Sequence, residues 1–206
     1  MMIAVGIVAS FLIGSIPFGF IVAKLWAGVD IREHGSGNIG FANVAREVGF
    51  RPGLVVLVLD IAKGFLPVLA AYAIWGRDVA VFAALAAIAG HVVTPFLRWR
   101  GGKGVATALG AFAALDPPAA AVALVVWIAA AAIWRYVAVA SMSLAWTLFV
   151  VITVEWVFGR AHVNPLMMAA ALVVAIGIVI THRTNIRRLG AGIENKISLK
   201  RGGGDA

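Results

Sequence analysis

The sequence predicts an all-α integral membrane protein with seven transmembrane helices, one of them short, the N-terminus outside and the C-terminus cytoplasmic. Three observations predict it. Of the 206 residues 63% are hydrophobic and only 13% are charged, about half the charge that coats an ordinary soluble domain. Uncharged runs at Met1–Ala23, Val79–Leu97, Tyr136–Val154 and Ala161–His182 each approach the roughly 20 residues that cross a bilayer as a helix. The basic residues, finally, partition by loop as a multi-pass protein requires. With a mean hydropathy of +1.01, this composition excludes a soluble globular enzyme. There is no internal repeat and no soluble second domain, so residues 1–206 read as a single polytopic domain.

The first span, Met1–Ala23, has no Lys or Arg ahead of it and no small-residue cleavage pattern behind it, so it reads as a retained helix and not a signal peptide. The spans that follow are Gly53–Trp75, Val79–Trp99, Gly104–Leu115, Pro118–Trp134, Val137–Phe158 and Asn164–Thr181. Gly104–Leu115 is the short one. At 1.5 Å per residue it reaches only about 18 Å, against a hydrocarbon core of about 30 Å. Asp116-Pro117-Pro118 ends it, because proline removes a backbone donor and clashes with the preceding turn.

Whether the short segment crosses sets the side of everything after it. If it crosses, one side holds Lys24, Arg32, Arg46, Arg51, Arg98, Arg100, Lys103, Arg135, Arg183, Arg187, Arg188, Lys196, Lys200 and Arg201. The other side holds only Arg77 and Arg160, with Lys63 inside the membrane. If it does not cross, Arg135 and the basic residues of the tail change sides, Arg160 returns, and the two sides become equal. The positive-inside rule therefore selects crossing, which makes the loop 27–52, the loop 98–103 and the tail 182–206 cytoplasmic.

With no cysteine, disulfides, thiolate nucleophiles and Cys-ligated metals are excluded. A net charge of +8 in so apolar a chain fits anionic lipid or phosphorylated substrates better than nucleic acid. The nine acidic residues are scattered, so no metal site is expected.

Three cytoplasmic segments collect the unusual residues. In the first, His34-Gly35-Ser36-Gly37-Asn38-Ile39-Gly40-Phe41-Ala42-Asn43, followed by Arg46, glycines alternate with small hydrogen-bonding side chains. Such a run builds an anion nest; the plainer alternative is a solvated turn. The second, Arg98-Trp99-Arg100-Gly101-Gly102-Lys103-Gly104-Val105-Ala106-Thr107, leads through glycines into the short helix, where free N–H groups and a lysine make a phosphate site. It is not a nucleotide P-loop, since Leu97 and Gly104 stand where that pattern needs Gly and Ser or Thr. Its alternative is an anchor plus a hinge. In the third, His182, Asn185 and Arg188 or Leu189 share a helix face by i, i+3, i+6 or i+7 spacing, with a lipid-holding basic stretch as the alternative. Inside the membrane, Asp60 and Lys63 at i, i+3 read as an intrahelical pair ordering the bundle beneath the site, and His91 reads as a core histidine.

These three motifs, in order, resemble those of the bacterial integral-membrane glycerol-3-phosphate acyltransferase that uses acyl phosphate as donor. The residues that carry the resemblance are Gly35–Asn43 with Arg46, then Gly90-His91, Pro95 and Gly101–Thr107, and finally His182, Asn185, Arg188-Leu189, Gly192 and Glu194. It extends from Gly14-Ser15-Ile16-Pro17 to Ile197 and implies seven spans, a site at the cytoplasmic face of a bacterial inner membrane, and no cofactor. It implies Ser36, Lys103, His182 and Asn185 as catalytic positions. Gly35, Gly37, Asn38, Gly40, Asn43, Arg46, His91, Gly101, Gly102, Gly104, Thr107, Arg188 and Glu194 are the implied substrate positions. Two positions depart from the family pattern: Ala42 and Ile193 stand where Thr is usual, so neither offers a hydroxyl.

The implied reaction is attack of the sn-1 hydroxyl of glycerol 3-phosphate on the carbonyl of a fatty acyl phosphate, giving lysophosphatidate and inorganic phosphate. The expected partners are these two substrates and membrane lipid, with no nucleic acid and a monomer as the working unit. In this reading Lys103 and the amides of Gly101–Gly104 hold the acyl phosphate, Arg46, His182 and Asn185 hold glycerol phosphate, and Ser36 orients the nucleophile or the oxyanion. A Ser36 nucleophile with His182 as base is the second mechanism, with no carboxylate expected nearby to complete a triad.

Thioester-using acyltransferases need His-x-x-x-x-Asp, but Ile39, Phe96, Met167 and Arg187 follow the four histidines at that distance. A transporter of organic phosphate also favours broken helices and cations, yet the external loops around Arg77, Asp116 and Arg160 are expected to carry almost nothing.

Overall fold

The computed structural model of the chain describes residues 1–197; Lys200, Arg201 and Gly202-Gly203-Gly204 lie outside the described residues. Within them the chain forms ten α-helices and no strand: α1 Met2–Ser15, α2 Phe18–Ala27, α3 Phe41–Glu47, α4 Phe50–Trp75, α5 Arg77–Val92, α6 Val105–Leu115, α7 Pro117–Trp134, α8 Val137–Val157, α9 Pro165–Thr181 and α10 Arg183–Gly190. Five stretches are long and apolar enough to cross a membrane, namely Met2–Ala27, Phe50–Trp75, Arg77–Leu97, Pro117–Trp134 and Val137–Val157. The α9–α10 pair, bent by 55°, makes a sixth if it is one span, and α6 is a shorter apolar helix of 11 residues.

The first apolar stretch is not one straight helix. Pro17 has no N–H to give and splits it into α1 and α2. The carbonyls at the break are used by other parts of the chain: Thr94 Oγ1, in the loop after α5, donates to Ser15 O at 2.6 Å and Lys63 Nζ of α4 to Ile16 O at 2.7 Å. Lys63 also lies 2.8 Å from Asp60 Oδ1, both side chains being buried, and its ammonium sits 5.6 Å from the centre of the Phe18 ring. The intrahelical pair expected from the sequence therefore does a second job, tying α4 to the α1–α2 break.

Helices approach closely where glycine removes the side chain. A Cβ on Gly64 of α4 would lie 2.1 Å from Thr107 O of α6, and one on Gly110 of α6 would lie 2.0 Å from Ile61 O of α4. Gly14 of α1 and Gly90 of α5 make the same kind of contact, with Ala87 O and Phe11 O. In lipid, where tails are as apolar as leucine, such backbone approach is what lets helices associate. Around these seams Phe112, Leu144, Leu148, Ile152, Met167 and Ile178 fill the centre of the bundle. Large apolar side chains such as Leu66, Val125, Ile133 and Val173 stay exposed on its outside, as a lipid-facing surface requires.

α6 joins the two ends of the bundle. It starts beside Lys103 and stops at Asp116, whose Oδ1 accepts from Ala119 N at 3.0 Å and so caps α7, with Pro117 preset for the first turn. The turns at the Asp116 end are not bare as the sequence suggested. His162 Nε2 lies 3.3 Å from Asp116 Oδ2 and 3.7 Å from Glu155 Oε2.

Candidate active site

The first motif is held by one buried side chain. Asn43, at the start of α3, accepts from Ser36 N at 2.9 Å and donates to Ile31 O at 3.2 Å and His34 O at 3.0 Å. Asn38 Oδ1 accepts from Gly40 N at 2.8 Å, turning the chain into α3. Gly35 and Gly37 have φ of +56° and +70°, a conformation glycine takes without strain. Together these bonds hold Ser36 at the edge of a cavity of about 330 Å³, with Arg46 reaching it from α3.

The second motif reaches the cavity by a different route from the one its glycines suggested. Gly101 N donates to Val92 O at 3.0 Å and Gly102 N to His91 O at 2.9 Å, so these two amides are spent on the backbone and cannot hold a phosphate. Gly102 is there for space, since its Cβ would lie 2.1 Å from His91 Nε2. Gly101 likewise leaves no room before His91 O, at 2.0 Å. What reaches the cavity is Lys103, Gly104 and the first turn of α6, where among the described residues Val105 and Ala106 N–H have no protein acceptor. The positive end of a short helix therefore points at the site.

The third motif completes the cavity at the α9–α10 bend. His182 Nδ1 lies 2.8 Å from Ile178 O, and because a carbonyl only accepts, Nδ1 carries the proton and Nε2 is bare. Asn185 Oδ1 accepts from Lys103 Nζ at 2.5 Å, and its Nδ2 donates to Glu194 Oε1 at 2.7 Å. Thr181 Oγ1 donates to Lys103 O at 3.1 Å. Glu194, which follows α10, closes a Lys103–Asn185–Glu194 chain; it bonds Asn185 and not His182, so among the described residues it completes no Ser36–His182 triad. Burial pushes the Lys103 ammonium down to about 8, with Glu194 opposing and Arg188 and Arg46 adding to the fall.

Ser36, Asn38, Gly40, Asn43, Arg46, His91, Lys103, Gly104, His182, Asn185, Arg188 and Glu194 all border the one cavity. Gly35, Gly102 and Thr107 do not. Gly35 packs against Asn43 and Glu47, and Thr107 is buried where α6 meets Gly64. Gly37 and Gly101 border a neighbouring polar hollow beside Asp30, Arg32 and Arg100. Away from its polar mouth the cavity is walled by Leu57, Ile61, Leu109, Leu124, Trp127, Val137 and Leu144, residues without hydrogen-bonding sequence signatures. Cations and amides at one end with an apolar wall behind them suit a ligand that is part phosphate and part hydrocarbon.

The family model described as glycerol-3-phosphate acyltransferase matches residues 4–192. The glycerol-3-phosphate acyltransferase of Trichlorobacter lovleyi is 44% identical over 92% of this chain and 95% of its own. That of Aquifex aeolicus is 41% identical over 92% and 96%. Among solved structures, PlsY (YgiH), an integral membrane glycerol 3-phosphate acyltransferase in its glycerol 3-phosphate form, superposes with a TM-score of 0.88 at 38% identity, covering 96% of each chain. Its lysophosphatidic acid form gives 0.85 over 95% of each.

Proposed function

The chain belongs to the glycerol-3-phosphate acyltransferase family as an integral membrane enzyme of the PlsY type, and on that premise we propose that it takes its acyl group from acyl phosphate. The acceptor is the sn-1 hydroxyl of glycerol 3-phosphate, and the products are lysophosphatidate and inorganic phosphate. The observation that carries this reading is the cavity itself. Lys103, Arg46, Arg188 and the free amides of α6 gather at its mouth, and an apolar wall lies behind. Two phosphates and one acyl chain match that division.

Lys103 and the start of α6 hold the acyl phosphate group, while Arg46, His182 and Asn185 hold glycerol phosphate and Ser36 orients the attacking hydroxyl or the developing oxyanion. The hydroxyl oxygen bonds to the acyl carbon, and the bond from that carbon to the phosphate oxygen breaks. The bare Nε2 of His182 takes the hydroxyl proton, and the bond electrons leave with phosphate, which recovers that proton. Phosphate is a good leaving group, so positioning and charge stabilisation supply the greater part of the acceleration. Asn43, Asn38, Gly35, Gly37 and Gly40 shape the first loop, Gly101 and Gly102 seat the second on His91, and Thr107 and Glu194 fix α6 and Asn185. The chain works as a monomer in a bacterial inner membrane, with seven spans and the site cytoplasmic.

Purified protein in lipid is expected to release phosphate from palmitoyl phosphate only when glycerol 3-phosphate is added, with lysophosphatidate in equal amount. Acyl-CoA or acyl carrier protein is expected to fail as donor, since the chain has no cysteine and no His-x-x-x-x-Asp unit. Equal use of a thioester overturns the donor assignment. Uptake of glycerol 3-phosphate into liposomes without acyl transfer overturns the enzyme.

A further inference from the structure

At the end of the bundle opposite Lys103, three side chains from three separate elements converge. Asp116 lies at the α6–α7 corner, Glu155 in the last turns of α8, and His162 in the turn before α9. Their facing atoms, Asp116 Oδ2, Glu155 Oε2 and His162 Nε2, all lie within 4.8 Å of one another. We propose that Asp116, Glu155 and His162 form a binding site for one divalent transition-metal cation, with Zn²⁺ the best geometric match.

Two independent observations carry this. The first is an unpartnered buried group. Asp116 is 0% exposed, its Oδ1 is used in capping α7, and its Oδ2 has no hydrogen-bond partner among the described residues. Glu155 Oε2 and His162 Nε2, the two atoms Asp116 Oδ2 faces, also have none. No Lys or Arg forms an ion pair with Asp116 or Glu155 among the described residues. A buried carboxylate left in this way is costly unless a cation joins it or it takes up a proton, and the imidazole beside the two carboxylates makes a cation site of them.

The second is the spacing. N–H···O hydrogen bonds span about 2.7–3.2 Å, whereas the imidazole nitrogen stands 3.3 Å from one carboxylate oxygen and 3.7 Å from the other. Ligands at about 2.0–2.1 Å from a tetrahedral zinc ion are separated by about 3.3–3.4 Å. Imidazole selects against Mg²⁺ and Ca²⁺, which take oxygen ligands. Two carboxylates and one neutral imidazole would make the loaded site electrically neutral, which suits the membrane boundary. The His162 side chain is 38% exposed, so the fourth position opens to water and offers the ion its entry.

The turn that presents His162 is preformed. Arg160 N donates to Glu155 O at 2.9 Å and Val163 N to Arg160 O at 3.0 Å. The ion would therefore tie the α6–α7 corner to the α8–α9 turn, a helix length away from the chemistry, so its function would be to hold that end of the bundle together.

The test is equilibrium dialysis of the chelator-stripped full-length protein against Zn²⁺. One ion per chain is expected, with affinity lowered at least about 100-fold in His162→Ala and in Glu155→Gln and unchanged in His34→Ala. Co²⁺ should give the intense visible absorption of a tetrahedral centre in the parent chain and lose it in His162→Ala. Because His162 is half-exposed, that variant should fold and keep its acyl transfer activity. No stoichiometric zinc in the parent chain, or zinc bound as tightly after His162→Ala and Glu155→Gln, overturns the proposal.

Discussion

Lys103 is the residue on which the site turns: its Nζ meets Asn185, its carbonyl receives Thr181, and it stands at the positive start of α6. Removing a preorganised charge aimed at a reacting group costs about 10²–10³ in rate. Lys103→Ala is expected to lose at least that in kcat/KM for the acyl donor, with the exposed Lys24→Ala near the parent value in the same assay. Proton linkage adds a sign. Because burial holds the Lys103 ammonium down to about 8 in the free protein, raising the pH through that value removes the cation proposed to hold phosphate. The alkaline limb of kcat/KM should therefore fall from about pH 8. Lys103→Arg, whose guanidinium stays charged, should retain less activity but lack that limb, and an unchanged limb would show that another group titrates.

At the scale of elements, charge and glycine patterning made much legible and geometry withheld the rest. The basic run into a Gly-Lys segment marked the start of α6, and the i, i+3 pairing of Asp60 and Lys63 was visible on one helix because a helix fixes the distance between its own residues. Sequence could not show that the amides of Gly101 and Gly102 turn to Val92 and His91, since backbone direction in a loop depends on what it packs against. Nor could it show Glu194 reaching Asn185, or Asp116, Glu155 and His162 meeting, because those contacts join separate elements. The close crossing of α4 and α6 is of the same kind. Gly64→Val must push α6 away, because its Cβ would lie 2.1 Å from a backbone carbonyl that cannot rotate aside. A loss at or beyond the upper end of about 1–3 kcal/mol is expected, together with displacement of Lys103. Gly177 of α9 has nothing within 4 Å, so Gly177→Ala should be neutral or stabilise by up to about 1 kcal/mol. Thermal unfolding of both variants in one detergent checks the contrast, and equal melting temperatures would mean that α4 and α6 do not depend on that contact.

For the whole molecule the decisive question is how the two ends of the bundle face the membrane. The end that gathers Lys103, Arg46, Arg188 and the α9–α10 bend is rich in cations, whereas the opposite end presents Asp116, Glu155 and His162 with few basic residues. Positive charge is retained on the cytoplasmic side during insertion, and the proposed topology puts the cavity mouth on that side. α6 is too short to cross a full hydrocarbon core straight. Yet it runs from the Lys103 end to Asp116, which His162 of the α8–α9 turn meets at 3.3 Å, so the helix does connect the two ends. Local thinning or burial among neighbouring helices can cover the shortfall. The chain has no cysteine, so single cysteines report without background. In intact cells Ala161→Cys, exposed in the α8–α9 turn, should react with a membrane-impermeant maleimide, and Glu33→Cys, exposed before the first motif, should react only after permeabilisation. Labelling of both from outside would remove α6 as a crossing segment and with it the cytoplasmic placement of the site. Labelling of Glu33→Cys alone would invert the protein in the membrane.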